Sequence, residues 1–387
     1  MRRILTTFLL VALLGCASQP LTREERVNQT VDAFLAERNI RAAAVAVVEG
    51  GQTVHLSGYG DASEAMLFDL GSIRKMFVAE RMVELERERM LTLDDPLDVW
   101  LYIEGAEGVT LRSMMHQMSG LPDEVVLPTV SLESAPGERW AYRNANFDLL
   151  DTVIETASGQ PFADWVQQKH GLRFCTEPGF PGGHAVGYYG DDRAAKPTCW
   201  FSGKVEALAL AADTLLRDEA MLEEGQLNDG QSTSYGFGVD LRNYRDHSRA
   251  GHTGHMPGFT ASVGHYPEID LTIAVVTNQG QLHDPDALEH AVLRAWRELE
   301  ESSIEALPGI DAATALGSWD AGAATFTVAE TENGLSLRLD GYVTVPMVPI
   351  SENRWVGEQS PETARLQIDG DVALIEMVGI PWRATRR

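Results

Sequence analysis

The sequence predicts an α+β protein: an antiparallel sheet flanked by helices, a mainly helical second lobe, and a small antiparallel β domain at the C-terminal end. Three observations predict it. A helix-then-hairpin pattern opens the chain, and a run of strands closed by a helix returns over residues 236–301, so one sheet draws on both ends of that stretch. Helical periodicity dominates between them. Beyond residue 310 the pattern changes to short strand-like runs split by turn signals such as Asn333-Gly334 and Asp369-Gly370.

The first residues read as an address. A basic start over 1–3 precedes an apolar run over 4–14, which is too short to span a bilayer as a helix and suits a secretory signal. It ends in Leu13-Leu14-Gly15-Cys16, which resembles a bacterial lipobox; that likeness implies cleavage before Cys16 and lipidation of it. The expected product is exported and lipid-anchored to a bacterial membrane, facing the periplasm or the cell exterior. Residues 1–15 are the signal, 22–301 the main domain and 310–387 the β domain. Cys175 and Cys199 could close a loop in an oxidising compartment or stay as free thiols.

Composition narrows the partners. A net charge of -26 argues against a nucleic-acid partner and against electrostatic docking on anionic lipid. Among 31 basic residues only Lys75, Lys169, Lys196 and Lys204 are lysines. Arginine is not deprotonated in proteins, whereas a buried lysine can act as a base, so a lysine kept in so arginine-rich a chain is a candidate for that role.

In chain order, residues 22–39 carry Val27, Val31, Phe34 and Leu35 at helical spacing, and 43–48 and 53–56 read as strands about Gly50-Gly51. Helices are expected over 72–89, 110–118 and 146–158, and an irregular Gly- and Pro-rich loop over 171–200. A helix over 205–219, strands over 236–241, 247–251, 259–266 and 271–277, and a helix over 285–301 complete the main domain. The tail offers strands around Trp319 and over 325–328, 335–339, 342–348, 364–368 and 373–377.

Three clusters carry chemistry. In Gly71-Ser72-Ile73-Arg74-Lys75, a helix start puts Lys75 one turn after Ser72 on one face. A serine hydroxyl needs a neighbouring base, burial and the helix dipole favour a neutral lysine, and the Ser72 N–H can face an oxyanion. The same residues also suit an N-cap serine and a surface lysine. Alternation along Tyr142-Arg143-Asn144 lets Tyr142 and Asn144 share a face, although a packed aromatic and a helix cap would look alike. In Gly251-His252-Thr253-Gly254-His255, His252 and Gly254 share a strand face, where glycine admits a close substrate backbone; a structural histidine in a turn fits as well.

Taken together, S-x-x-K, Y-x-N and H-T-G in this order resemble the serine β-lactamase and penicillin-binding-protein superfamily. The nearest branch holds class C-type β-lactamases, H-T-G D-alanyl-D-alanine carboxypeptidases, D-aminopeptidases and related esterases. Phe68-Asp69-Leu70-Gly71-Ser72, Leu91-Thr92-Leu93-Asp94-Asp95-Pro96 and Ser119-Gly120-Leu121-Pro122 are similar to that branch too. The likeness covers about residues 25–300, and the tail is similar to barrel-like modules that follow some members.

The resemblance implies a β-lactamase/transpeptidase-like fold and assigns roles. Ser72 would be the acylated nucleophile, Lys75 its base and Tyr142 a proton shuttle. The N–H groups of Ser72 and His255 would form the oxyanion hole, and Asn144, His252, Thr253 and Gly254 would contact substrate. Neither cofactor nor metal is implied. Substrates would be a small peptide, an ester or a β-lactam, with peptidoglycan as a wider partner. His252 replaces the usual lysine and offers less fixed positive charge to a substrate carboxylate. The expectation is therefore a D-alanyl-D-alanine carboxypeptidase-like or peptidase-like serine hydrolase. The alternatives are a β-lactamase or short-chain esterase, a non-catalytic penicillin- or peptidoglycan-binding sensor, and a rival nucleophile at Ser119.

Overall fold

The computed structural model describes residues 20–174, 183–190, 192–193, 200–280, 285–299, 307, 309–321, 325–331, 334–339, 343–357, 364–377 and 380–387. Residues 1–15, expected as a signal, and Cys16, Cys175 and Cys199 lie outside them.

Helix α1 (Arg23–Arg38) begins on a reciprocal cap. The Thr22 hydroxyl accepts from the Glu25 N–H at 3.2 Å, and the Glu25 carboxylate accepts from the Thr22 N–H at 2.8 Å. The hairpin β1 (Ala42–Glu49) and β2 (Gln52–Gly60) turns at Gly50-Gly51, both at positive φ. A short β3 (Phe68–Asp69) leads into a 3-10 turn over Gly71–Ile73 and then α2 (Arg74–Arg87). The middle lobe adds α3 (Leu97–Trp100), α4 (Leu111–Met115), α5 (Asn144–Ser158) and α6 (Phe162–His170). Short strands β4 (Arg173–Phe174), β5 (Tyr188–Tyr189), β6 (Asp192–Arg193) and β7 (Phe201–Gly203) lead to α7 (Val205–Leu215). Then come β8 (Asp240–Tyr244), β9 (His247–Met256), β10 (Phe259–Tyr266), β11 (Leu271–Thr277) and α8 (Ala287–Arg297).

Both ends of this stretch build one antiparallel sheet of order β2-β1-β11-β10-β9-β8. Strand alternation divides β1 between two cores. Ala44, Ala46 and Val48 face the helical lobe, while Ala43, Val45 and Val47 pack with α1 and α8.

The differences from expectation are local and physical. The helix expected from 72 begins with a 3-10 turn, and the one expected from 146 begins at Asn144. Helix α6 was not expected, although Phe162, Trp165 and Val166 bury one face of it. The strand expected over 236–241 starts only at Asp240, because Gly236–Val239 turns against α2: a Cβ on Gly238 (φ +67) would stand 2.6 Å from the Lys75 carbonyl oxygen. Conversely, β9 runs on through Met256.

The tail closes into a barrel of eight antiparallel strands. These are β12 (Gly317–Asp320), β13 (Thr325–Thr331), β14 (Gly334–Leu339), β15 (Val343–Ser351), β16 (Arg354–Gly357), β17 (Ala364–Asp369), β18 (Val372–Met377) and β19 (Ile380–Arg386). Trp319, Phe326, Leu337, Trp355 and Trp382 fill its interior, as an eight-stranded barrel allows. Trp140 of the main domain packs against that cluster. Two strands escaped the sequence reading: β16 has four residues, and β19 mixes Pro381 with arginines.

Candidate active site

The turn that carries Ser72 is held by two glycines. Gly71 has φ +52, and a Cβ there would lie 2.7 Å from both N and O of His255. A Cβ on Gly254 would lie 1.9 Å from the Leu70 carbonyl oxygen. The 71–73 turn therefore presses backbone to backbone on β9. It meets β9 where its edge is open, because β8 pairs with β9 only as far as Gly251, opposite Asp240. Ser72 and the N–H of His255 are thereby brought side by side. Gly254 was expected to admit a substrate backbone. It admits the chain's own backbone at Leu70 instead, so it seats the turn that carries Ser72.

Lys75 Nζ donates to Ser72 Oγ at 3.2 Å and to Asn144 Oδ1 at 2.7 Å. It lies 4.5 Å from the Tyr142 ring centre and 5.8 Å from that of Phe147. Lys75 is only 2 % exposed. Burial, helped by the neighbouring Arg74, pushes its amine down from the ordinary lysine value to about 7, against the pull of Asp148, Asp123 and Asp240. A large fraction of Lys75 is thus uncharged near neutrality and able to accept the Ser72 proton.

The segment Tyr142-Arg143-Asn144 is fixed by residues outside the three motifs. Arg143 is extended, and its N–H donates to Gln117 Oε1 at 3.0 Å. Gln117 Oε1 also accepts from Asn146 Nδ2 at 2.6 Å, and the Gln117 carbonyl accepts from the Ala141 N–H at 2.8 Å. The Asn144 N–H, the first of α5, donates to Asp123 Oδ1 at 2.7 Å. Gln117 lies inside His116-Gln117-Met118-Ser119-Gly120, and its buried, left-handed backbone (φ +60) is a cue invisible in the letters. Ser119 is not a rival nucleophile: it is 1 % exposed, donates to Asn146 Oδ1 at 2.6 Å and accepts from the Leu121 N–H.

On β9, His252 is buried. Its Nδ1 stands 2.5 Å from the Thr253 carbonyl oxygen and its Nε2 3.2 Å from the Tyr235 hydroxyl. Its ring centre is 6.1 Å from those of both Tyr142 and Tyr235. Burial pushes the His252 imidazole toward its neutral form; Lys75 and Arg242 act in the same sense and Asp240 opposes them. Thr253 is buried beside it and His255 is exposed. Ser72, Lys75, Tyr142, Asn144, His252 and His255 therefore converge from three distant stretches of chain. Tyr235, which holds His252, was missed; its only sequence cue is its place in Tyr235-Gly236-Phe237-Gly238. Among the described residues no group of three His, Cys, Asp or Glu is placed to hold a metal ion.

Known proteins resemble this chain in sequence and in fold. The Beta-lactamase family matches residues 27–170 and 200–295. Penicillin-binding protein 4* of Bacillus subtilis (strain 168) is 24% identical over 409 residues, spanning 84% of this chain and 90% of that protein. The structure of an octameric penicillin-binding protein homologue from Pyrococcus abyssi superposes with a TM-score of 0.64 at 20% identity, covering 93% of this chain and 99% of that one. A D-amino acid amidase from Ochrobactrum anthropi SV3 gives a TM-score of 0.62 at 19% identity, covering 71% and 99%. With most of its main domain matched and the sheet-and-lobe fold shared, the chain belongs to the Beta-lactamase family.

Proposed function

We propose that the protein is a serine hydrolase that cleaves an amide or ester through an acyl-enzyme on Ser72. The observation that carries this reading is the contact between Lys75 Nζ and Ser72 Oγ at 3.2 Å, made by a buried amine whose pKa falls to about 7. Lys75 takes the hydroxyl proton as Ser72 Oγ bonds to the substrate carbonyl carbon. The N–H groups of Ser72 and His255, on abutting backbones, receive the oxyanion. As the carbonyl re-forms, the bond to the leaving amine or alcohol breaks. Tyr142, whose ring lies on Lys75, relays the proton to that leaving group and later assists the water that frees Ser72. Asn144 holds the Lys75 amine and the substrate amide.

D-alanyl-D-alanine carboxypeptidase-like peptidase action, short-chain esterase action and β-lactamase action all share this chemistry. They differ in what binds beyond the scissile bond. The likeness to penicillin-binding relatives and to a D-amino acid amidase supports the group as a whole. The leader ending in Cys16 supports export and lipid anchoring, with peptidoglycan fragments within reach.

The test treats the protein with a fluorescent penicillin and, separately, with a fluorophosphonate, and locates adducts by peptide mass spectrometry. An adduct on Ser72 that is lost in Ser72→Ala is expected. Absence of any adduct on Ser72 would favour a non-catalytic sensor.

A further inference from the structure

Four rings close a circuit beside Lys75. The ring centre of Trp140 lies 6.4 Å from that of Tyr142 and 5.8 Å from that of Tyr235, and His252 lies 6.1 Å from each of the two tyrosines. Trp140 belongs to none of the three motifs. It is half-buried, and among the described residues it is the one apolar side chain of the main domain that packs against the barrel's core cluster.

The hold on Tyr142 is uneven. Its backbone is pinned on both sides, because the N–H groups of Ala141 and Arg143 donate to the carbonyl and side-chain oxygens of Gln117 at 2.8 and 3.0 Å. Its ring is placed by packing against Lys75, His252 and Trp140. Lys75 is bonded to Ser72 and Asn144, and His252 to Tyr235 and the Thr253 carbonyl, so both are held from within the main domain. Trp140 instead leans on the barrel. Hydrogen bonding does not fix it: its indole N–H is buried and has no partner among the described residues. A donor left so costs about 1–3 kcal/mol. What seats the ring is its breadth, which reaches both tyrosines and the barrel at once.

We infer that Trp140 is a positioning residue for the proton relay: braced by the C-terminal barrel, it holds the Tyr142 ring against Lys75, and the barrel is thereby a working wall of the active site. This rests on the acyl-enzyme reading and deepens it. In acylation the Tyr142 hydroxyl gives its proton to the departing atom as that atom's bond to the carbonyl carbon breaks, and takes up the proton that Lys75 received from Ser72. Such a transfer needs hydrogen-bond reach, and a misplacement of about 1 Å is costly. Trp140 should therefore matter most where the leaving group needs a proton.

Two butyrate esters differ in that need. 4-Nitrophenyl butyrate releases a stable phenolate, whereas 4-nitrobenzyl butyrate releases an alkoxide that must be protonated. Both give the same acyl-enzyme, and kcat/KM reads its formation. Trp140→Leu should lower kcat/KM for the benzyl ester by about tenfold and for the phenyl ester by less than about threefold. Tyr142→Phe should show the same selectivity more deeply, and the double variant should fall no further than Tyr142→Phe alone. Trp140→Phe keeps a ring and removes the unpaired N–H, so it should lose less on the benzyl ester than Trp140→Leu. For the barrel, Trp355→Asp buries a charge in its core and should collapse it, seen as full hydrogen exchange of its strands. With Ser72 still labelled by the fluorophosphonate, that variant should treat the two esters as Trp140→Leu does. Equal losses on both esters in Trp140→Leu, or additive losses in the double variant, would make Trp140 a packing residue only and overturn the inference. Unchanged rates on both esters beside a collapsed barrel would overturn the barrel's share in it. No hydrolysis by the wild-type protein and no Ser72 adduct would remove the acyl-enzyme reading, and this inference with it.

Discussion

Lys75 and Arg249 are both buried basic side chains, on opposite sides of the same sheet, and they end in opposite states. Arg249, on β9, is gripped by Glu289 of α8 through two contacts of 2.8 Å. Glu289 also accepts from the Tyr266 hydroxyl at 2.6 Å and from Ser262. The carboxylate outweighs burial and keeps the guanidinium charged, with its pKa well above the ordinary value. Lys75 receives a hydroxyl, an amide oxygen and two ring faces, and among the described residues no carboxylate lies in salt-bridge contact with it. Burial then wins, and the amine is pushed toward its neutral form. One sheet thus carries a structural cation and a chemical one, and the nearest partner decides which is which.

The sharpest way to break this comparison is Lys75→Met. Acylation should fall by about 10²–10⁴, the usual weight of a general base. In the unmodified protein, acylation should rise with pH through about 7, where Lys75 loses its proton. Stability should rise with pH as well, over a higher range. The folded pKa of about 7 lies below the ordinary 10.5, so between those values the unfolded chain binds more protons and stability rises with pH. The penalty of the buried ammonium is complete below pH 7 and gone above 10.5. Lys75→Met should therefore raise the urea midpoint most at pH 6, with the gain fading by pH 10. A midpoint that drops at pH 6 would contradict the state assigned to Lys75.

At the other cation the expected effect falls on stability alone. Glu289→Gln leaves a buried guanidinium without its counter-charge and should cost about 3–5 kcal/mol in urea unfolding. The acylation inflection near pH 7 should stay where it is, because Glu289 does not act on Lys75. A loss below about 1 kcal/mol would mean that the arginine is held by its neutral neighbours instead.

The contrast also explains what the sequence disclosed. Ser72, Lys75, Tyr142 and His252 stood out because their chemistry depends on residue type and local spacing. The sheet was legible because β1, β10 and β11 are apolar runs of strand length, and strands that fill their register this fully leave little ambiguity. Gln117, Asp123 and Tyr235 were not legible, since each acts over a sequence distance of 17 to 29 residues through one or two hydrogen bonds. Gly254 was misread for a related reason. A glycine's missing Cβ shows that something comes close, and only the fold reveals that it is the Leu70 carbonyl. Helix α6 was passed over because its buried residues are few and it falls beside the irregular stretch after residue 170.

The subtlest test of the comparison is at Asp123, which touches the site twice. Its carboxylate accepts the first N–H of α5, and its charge helps draw the Lys75 pKa upward. Asp123→Asn keeps an oxygen acceptor for that N–H while removing the charge, so the cap and the field separate. With the field gone, burial is less opposed, and the acylation inflection should fall by about 0.3 pH unit while the urea midpoint hardly moves. Asp123→Ala removes both, and should add a stability loss of about 1 kcal/mol from the uncapped helix. A fall of more than about one pH unit in Asp123→Asn would mean that the nearest carboxylates, more than burial, set the proton affinity of Lys75, and the distinction between the two cations would fail.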